Sequence, residues 1–191
     1  MRKIIYYNLV SLDGFFAGPK GEIDWHRVDE EFNQYAIEFL NSVDTIIFGR
    51  ITYQLFENFW PVAAKDPATS KSDRVIANQI NDLNKVVFSK TLTQVSWQNS
   101  HLIRQVVPDE IVKMKGQPGK DMVIFGSANL AQSFIKPGLV DEYRIMVNPI
   151  VLGNGMPLFQ NLQNRIELSF IRSHTFKTGV IVLTYQPDFP R

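Results

Sequence analysis

The stretch DMVIFGSANLAQSFIKPG, residues 121–138, carries the fold in the order of its residue types. Met122 to Phe125 form an apolar run of the kind a buried strand needs, and Gly126 ends it. Leu130, Ala131, Phe134 and Ile135 then fall at helical spacing until Lys136-Pro137-Gly138 closes the run. The unit is strand, small-residue turn, helix. An earlier segment repeats it: Thr45-Ile46-Ile47-Phe48 runs into Gly49-Arg50, after which Leu55, Phe56, Phe59 and Trp60 return to helical spacing, with Pro61 expected to stop them.

Upstream, residues 3–10 (KIIYYNLV) read as a strand, followed by turn chemistry at Ser11-Leu12-Asp13-Gly14. Phe32, Tyr35, Ala36, Phe39, Leu40 and Val43 predict an amphipathic helix. Residues 63–74 are polar and read as a loop. A short helix is expected around Val75 to Ile80, capped by Ser72 or Asp73. Val86 to Phe88 predict a strand ending at Ser89, with a further extended piece between Val95 and Leu102 and a helix over 107–115. Gly116-Gln117-Pro118-Gly119-Lys120 has the composition of a phosphate loop without its spacing and reads as a surface turn. From Leu139 onward helices give way to strands, at Tyr143 to Val147, Ile166 to Phe170 and Val180 to Tyr185. Alternating strands and helices followed by strands alone predict an α/β fold whose mixed, mostly parallel central sheet ends in antiparallel C-terminal strands. Nothing marks a second core, so residues 1–191 are expected to form one domain.

Composition narrows the function. The chain has 191 residues, 45% hydrophobic and 20% charged, with a net charge of +1 and no cysteine. A near-neutral balance without a basic run argues against a nucleic-acid partner. The absence of cysteine excludes disulfides, thiolate-held metals and thiol nucleophiles, and fits a reducing cytoplasm. No segment approaches the about 20 apolar residues of a transmembrane helix, and Asn8, Ser11 and Asp13 interrupt the N-terminal apolar run before it resembles a signal peptide. His26, His101 and His174 lack metal-binding spacing, and no nucleophile elbow is present, so no metal site is expected.

Three strand ends lead into small or polar residues: Phe48-Gly49-Arg50, Phe88-Ser89-Lys90 and Phe125-Gly126-Ser127-Ala128. A helix N-terminus carries unpaired N–H groups and about half a positive charge, so a strand-to-helix turn suits a phosphate. The same turns also fit simple packing of helix on sheet. Arg50 and Lys90 follow two of these ends, where a 2′-phosphate bearing about −1.5 to −2 charges would find partners; as surface cations they would extend into solvent. The pair favours NADP over NAD.

Gly49-Arg50-x-Thr52-Tyr53 and Ser89-Lys90 resemble turns of the dihydrofolate reductases. Phe125-Gly126-Ser127, Gly138 to Glu142 and Asn148-Pro149-Ile150-Val151-Leu152-Gly153-Asn154-Gly155-x-Pro157-Leu158-Phe159 resemble the reductase domain of riboflavin biosynthesis, as does Ser11 to Gly14. The resemblance spans nearly the whole chain and is to stand-alone members of that group. It implies a three-layer dihydrofolate-reductase-like fold, NADPH at the strand ends, hydride transfer to a small carbonyl, imine or heterocyclic substrate, and a homodimer. Gly49, Arg50, Thr52, Ser89, Lys90, Gly126, Ser127 and Ala128 would hold the cofactor, while Gly153 and Gly155 would bring a loop close to nicotinamide or substrate. Gly126-Ser127 stands where the family often has two glycines. The deaminase domain of bifunctional riboflavin enzymes is missing, so riboflavin synthesis is not implied.

The proton would come from a carboxyl group or from ordered water; among carboxyls Asp13 is the candidate, as a partly buried acid of raised pKa beyond the first strand. A turn-forming aspartate before Gly14 fits the same residue. Asp141-Glu142 reads as capping and positioning the strand from 140, with a catalytic role as the alternative. Trp25, Phe56, Phe59 and Trp60 fit either an apolar substrate pocket or the core. A non-catalytic NADP-binding or dimeric interaction protein on this fold stays open beside the reductase. The Leu139 to Leu152 stretch is the expected place for a second copy to pair or pack.

Overall fold

A computed structural model describes residues 1–188; the last residues of the expected 1–191 span, 189–191, lie outside the described residues. The elements run β1 (Ile4–Ser11), β2 (Phe15–Ala17), α1 (Glu30–Asn41), β3 (Val43–Gly49), α2 (Arg50–Ala63), α3 (Lys71–Asp82), β4 (Asn84–Phe88), β5 (Ser100–Ile103), α4 (Pro108–Gly116), β6 (Asp121–Phe125), α5 (Ala128–Ile135), β7 (Glu142–Asn148), β8 (Met156–Pro157), β9 (Leu168–Thr175) and β10 (Ile181–Pro187). Eight strands form one sheet in the order β5-β4-β3-β6-β1-β7-β10-β9. The first six run parallel, and β10 is antiparallel to both β7 and β9. β2 and β8 make a separate antiparallel pair.

The strands are apolar on both sides because both sides are covered. Ile5, Tyr7, Ile46, Phe48, Val87 and Val123 pack on one face against Phe32 and Phe39 of α1, Tyr53 of α2, and Ile76 and Ile80 of α3. Their neighbours in sequence, Ile4, Tyr6, Ile47, Val86, Met122 and Ile124, pack on the other face against Ile111 of α4 and Ala131, Phe134 and Ile135 of α5. The result is the expected three-layer arrangement, helix on sheet on helix.

Helix boundaries follow local chemistry. The Asp29 carboxylate accepts from the Phe32 N–H at 2.9 Å and starts α1. For α3 the cap is Ser70, not Ser72 or Asp73: its hydroxyl accepts from the Asp73 N–H at 3.1 Å and donates to the Asp73 carboxylate at 2.6 Å. This reciprocal pair draws the helix start into the segment expected as loop. α2 continues through Pro61 to Ala63. The proline lies in the last turn, where loss of its single N–H bond interrupts little that follows.

One strand pairing is added and one expectation changes. The short β2–β8 pair carries no periodicity and was not anticipated. β7 lies between β1 and β10, with hydrogen-bond partners on both sides. Its backbone is therefore satisfied within the chain, and the Leu139 to Leu152 stretch cannot pair through it with a second copy. The open edge on that side is β9.

Asp141 positions more than its own strand. Its Oδ2 accepts from the N–H of Ile4 at 2.8 Å, at the start of β1, and also pairs with the Lys115 ammonium at 2.7 Å. The Lys115 residue is only 8% exposed, so removing its partner leaves a charge with little water around it. Asp141→Ala is expected to cost roughly 2–4 kcal/mol in urea unfolding. Asp141→Asn, which keeps an acceptor for Ile4, should cost less; equal stability of Asp141→Ala and the parent would contradict this account.

Candidate functional site

β4, β3 and β6 are neighbours that point the same way, so the three turns singled out in the sequence stand side by side at one edge of the sheet. Gly49 is the N-cap of α2 and Ser127 the N-cap of α5, and neither helix start has a side chain accepting its first N–H groups. Two positive helix ends with free donors thus converge.

The turns interlock. A Cβ on Gly49 would run into the Ser127 hydroxyl, and one on Gly126 would come within 3.2 Å of Thr52 Oγ1. Gly126 has φ +58° and Ser127 φ +50°, both left-handed. Glycine meets that demand freely, whereas the serine adopts an uncommon conformation. Backbone N–H groups are left uncovered on this cradle, which suits a phosphate-bearing group. Ala128, fully within the fold, begins α5 behind it.

Arg50 is exposed and donates to Gln54 Oε1 at 3.3 Å; Lys90 is exposed as well. The Ser89 hydroxyl accepts from the N–H groups of Thr91 (3.2 Å) and Leu92 (3.0 Å), so it shapes its own turn. Arg104 braces this turn through the carbonyls of Ser89 and Leu92 and brings a third cation to it. Sequence reading missed Arg104, because the end of β5 could not be located from a strand this short.

Beside the cradle lies a mostly apolar pocket of about 450 Å³ between β1, α1 and α2. Phe56, Phe59 and Trp60 line it as anticipated, while Trp25 does not. The Trp25 indole N–H donates instead to the Glu22 carbonyl at 3.1 Å, and its ring packs against His26 with centroids 4.4 Å apart. His26, the neighbour, contributes to the lining. Burial pushes its pKa down to about 4, partly opposed by the nearby Asp24 charge, so its imidazole is neutral at pH 7. Asp73 and Asn33 also reach the pocket, joined by a 3.0 Å hydrogen bond. None of these three stood out in the sequence, since nothing local ties them to a cavity. Val28 and Phe59, 52% and 57% exposed, belong to the lining, an apolar surface open to a ligand.

Asp13, Gly153 and Gly155 form a separate group. The Asp13 carboxylate accepts from the N–H of Leu152 at 3.1 Å and of Gly153 at 2.8 Å, and it is not part of the pocket lining. Hydrogen bonding, first from Ser11 and then from Gly153 and Leu152, holds its carboxyl below the usual carboxylate range. The expected raised pKa is therefore corrected: the group is exposed and stabilised as an anion. Gly155 needs to be glycine because a Cβ there would meet the Ala17 carbonyl at 2.5 Å, so its smallness serves the approach of β8 to β2. Gly153 sits at φ +73° over the Asp13 carboxylate. Together these contacts place Phe16 of β2 in the pocket wall.

Asp13→Ala should raise hydrogen exchange at the Leu152 and Gly153 amides by about tenfold or more while leaving β7 protected. Unchanged exchange at both amides would show that the carboxylate does not hold this loop.

The sequence model of the RibD C-terminal domain family matches residues 2–182. The uncharacterized protein YyaP of Bacillus subtilis (strain 168) is 38% identical over 184 residues, covering 96% of this chain and 94% of that protein. Among solved structures, a putative riboflavin biosynthesis protein from Shewanella sp. PV-4 superposes with a TM-score of 0.73 at 24% identity, covering 98% of this chain and 99% of that one. The diaminohydroxyphosphoribosylaminopyrimidine deaminase/5-amino-6-(5-phosphoribosylamino)uracil reductase of Thermotoga maritima gives 0.66 at 11% identity, covering 98% of this chain and 57% of that one. Dihydrofolate reductase from Enterococcus faecalis, complexed with NADP(H), gives 0.61 at 12% identity, with 98% and 97% covered. At these identities the three structures establish a shared fold. With that fold, a family match over residues 2–182 and 38% identity to YyaP, the chain belongs to the RibD C-terminal domain family, on a dihydrofolate-reductase-like framework.

Proposed function

We propose that the protein is an NADPH-dependent oxidoreductase that reduces a small carbonyl, imine or heterocyclic substrate held in the apolar pocket. One observation carries the reading: Thr52 and Gly126 belong both to the interlocked turns and to the pocket lining. A nucleotide anchored at the turns thereby adjoins a cavity whose volume falls in the about 300–1,000 Å³ range of small-molecule sites. Gly49, Arg50, Thr52, Gly126, Ser127 and Ala128 would hold the phosphates, with Ser89 and Lys90 completing the cofactor site beside Arg50. When bound, NADPH supplies the hydride. The chain's part is to fix the anion at two helix ends and to orient the acceptor against the pocket's aromatic side chains. Asp13 acts as a positioning residue for the Gly153 loop and the β2–β8 pair. Solvent water is the proton source we favour.

One observation supports the non-catalytic NADP-binding alternative, namely that the carboxylate expected to deliver the proton is engaged with Leu152 and Gly153 outside the pocket. Titration of tryptophan fluorescence with NADPH and NADH separates cofactor binding from catalysis, Trp60 being in the pocket wall. NADPH should bind about tenfold or more tightly than NADH, and Arg50→Ala and Lys90→Ala should narrow that gap. Failure of both nucleotides to bind saturably removes the reductase reading. Binding without NADPH oxidation across a pool of small carbonyl and imine compounds favours the alternative.

The family resemblance and the absence of cysteine lead us to place the protein in the cytoplasm as a homodimer; no described helix is long and apolar enough to cross a membrane. β9 is the edge we assign to pairing, since Leu168, Phe170 and Ile171 are exposed along an open strand. Sedimentation at micromolar concentration should give a dimer that Phe170→Lys converts to monomer. A monomeric parent protein would dismiss the dimer.

A further inference from the structure

Charge is divided between the two halves of the site. The cations, Arg50, Lys90 and Arg104, gather at the ends of β3, β4 and β5, around the cradle. The pocket has none: no lysine or arginine is among the described residues that line it. Its acidic side chain is Asp73, whose Oδ1 accepts from Asn33 Nδ2 at 3.0 Å and whose Oδ2 accepts from the Ser70 hydroxyl at 2.6 Å. Asn33 also donates to the Ser72 hydroxyl at 3.2 Å, and Ser72 donates to Glu30 at 2.7 Å, so a second carboxylate stands behind the first. His26, neutral at pH 7, adds no positive charge.

The remaining walls mix aromatic rings with aliphatic side chains such as Leu9, Ile23, Val28, Leu40 and Leu55, and several of the rings touch one another. Tyr7 stacks on Phe39 with centroids 4.8 Å apart, and Phe56 stacks on Phe125 at 5.9 Å. Such faces favour a flat ring system. A phosphate here would lose water, meet Asp73 as a like charge and find no lysine or arginine in the lining, since Arg144, 4.6 Å from the Phe39 ring, is already paired with Glu142; each of these disfavours the ion. The reductase from Thermotoga maritima carries a phosphoribosyl group in the name of its substrate; this pocket is built for something else.

We infer that the pocket takes a planar, largely apolar molecule without a phosphate, its N–H or O–H donors directed to the Asp73–Asn33 end. The inference rests on the pocket being the substrate site of the proposed reductase, and it assigns that site's substrate class. Asp73 is then a specificity-determining residue, acting against anions and for donors.

The full chain, with and without saturating NADPH, can be titrated with 1-naphthol and with 1-naphthyl phosphate, which share a ring system and differ in the anion. The naphthol should bind about tenfold or more tightly than the phosphate. Leu55→Lys places a cation on a pocket position that is 50% exposed and should weaken that preference or reverse it. Asp73→Asn, which keeps an acceptor for Asn33, should narrow the gap in the same direction. Equal or tighter binding of the phosphate, no saturable binding of the naphthol, or a preference indifferent to Leu55→Lys overturns the inference. The NADPH titration is read separately: loss of nucleotide binding with the naphthol preference intact defeats the reductase and leaves the pocket's selectivity standing, and the reverse result defeats the selectivity alone.

Discussion

Burial of the parallel sheet on both faces is the constraint from which the rest of the molecule follows. Ile4 and Ile5, or Ile46 and Ile47, point to opposite sides, and each meets a helical layer. A strand apolar on both faces needs such cover, and parallel neighbours need crossovers long enough to supply it. The helices that seal the sheet are therefore the connections themselves. Because β3 and β6 run in the same direction, α2 and α5 begin at the same edge, and their positive ends meet there.

That convergence explains why small residues are concentrated where they are. Two helix starts this close leave no room for a Cβ at Gly49, and the left-handed turn at Gly126 brings the backbone against Thr52. The contact that packs α5 beside α2 is also the contact that leaves N–H groups uncovered for an anion. Beyond it the chain changes character, since the pocket is walled by aromatic rings and closed at one end by a carboxylate. A turn flanked by cations and a mostly apolar pocket that carries Asp73 are joined at Thr52 and Gly126.

The loop after β1 serves this arrangement at one remove. Asp13 spends its charge on two backbone N–H groups, Gly155 makes room for Ala17, and the β2–β8 pair so formed sets Phe16 in the wall. An aspartate with these partners is a stable anion, the opposite of what a proton donor requires. Asp141 does comparable work at the other end of β1, tying its first N–H to Lys115 and α4.

The helical and strand periods, the small-residue turns after β3 and β6, and the change to strands alone after Leu139 were legible because each is a local property of side chains: apolar spacing, missing Cβ atoms, capping groups. Sequence pattern thus determined the mixed sheet and the strand ends at Gly49, Ser89 and Gly126, while the three layers were what the family resemblance implied. Tertiary structure decided what lies between distant segments. It enclosed β7 between β1 and β10, and it turned Asp13 toward Leu152 rather than the pocket. His26, Asn33, Asp73 and Arg104 joined the site only on folding. The reason is physical: periodicity reports which face of an element is buried, whereas a pocket, a shifted pKa or a satisfied strand edge depends on groups far apart along the chain, whose meeting no local pattern encodes.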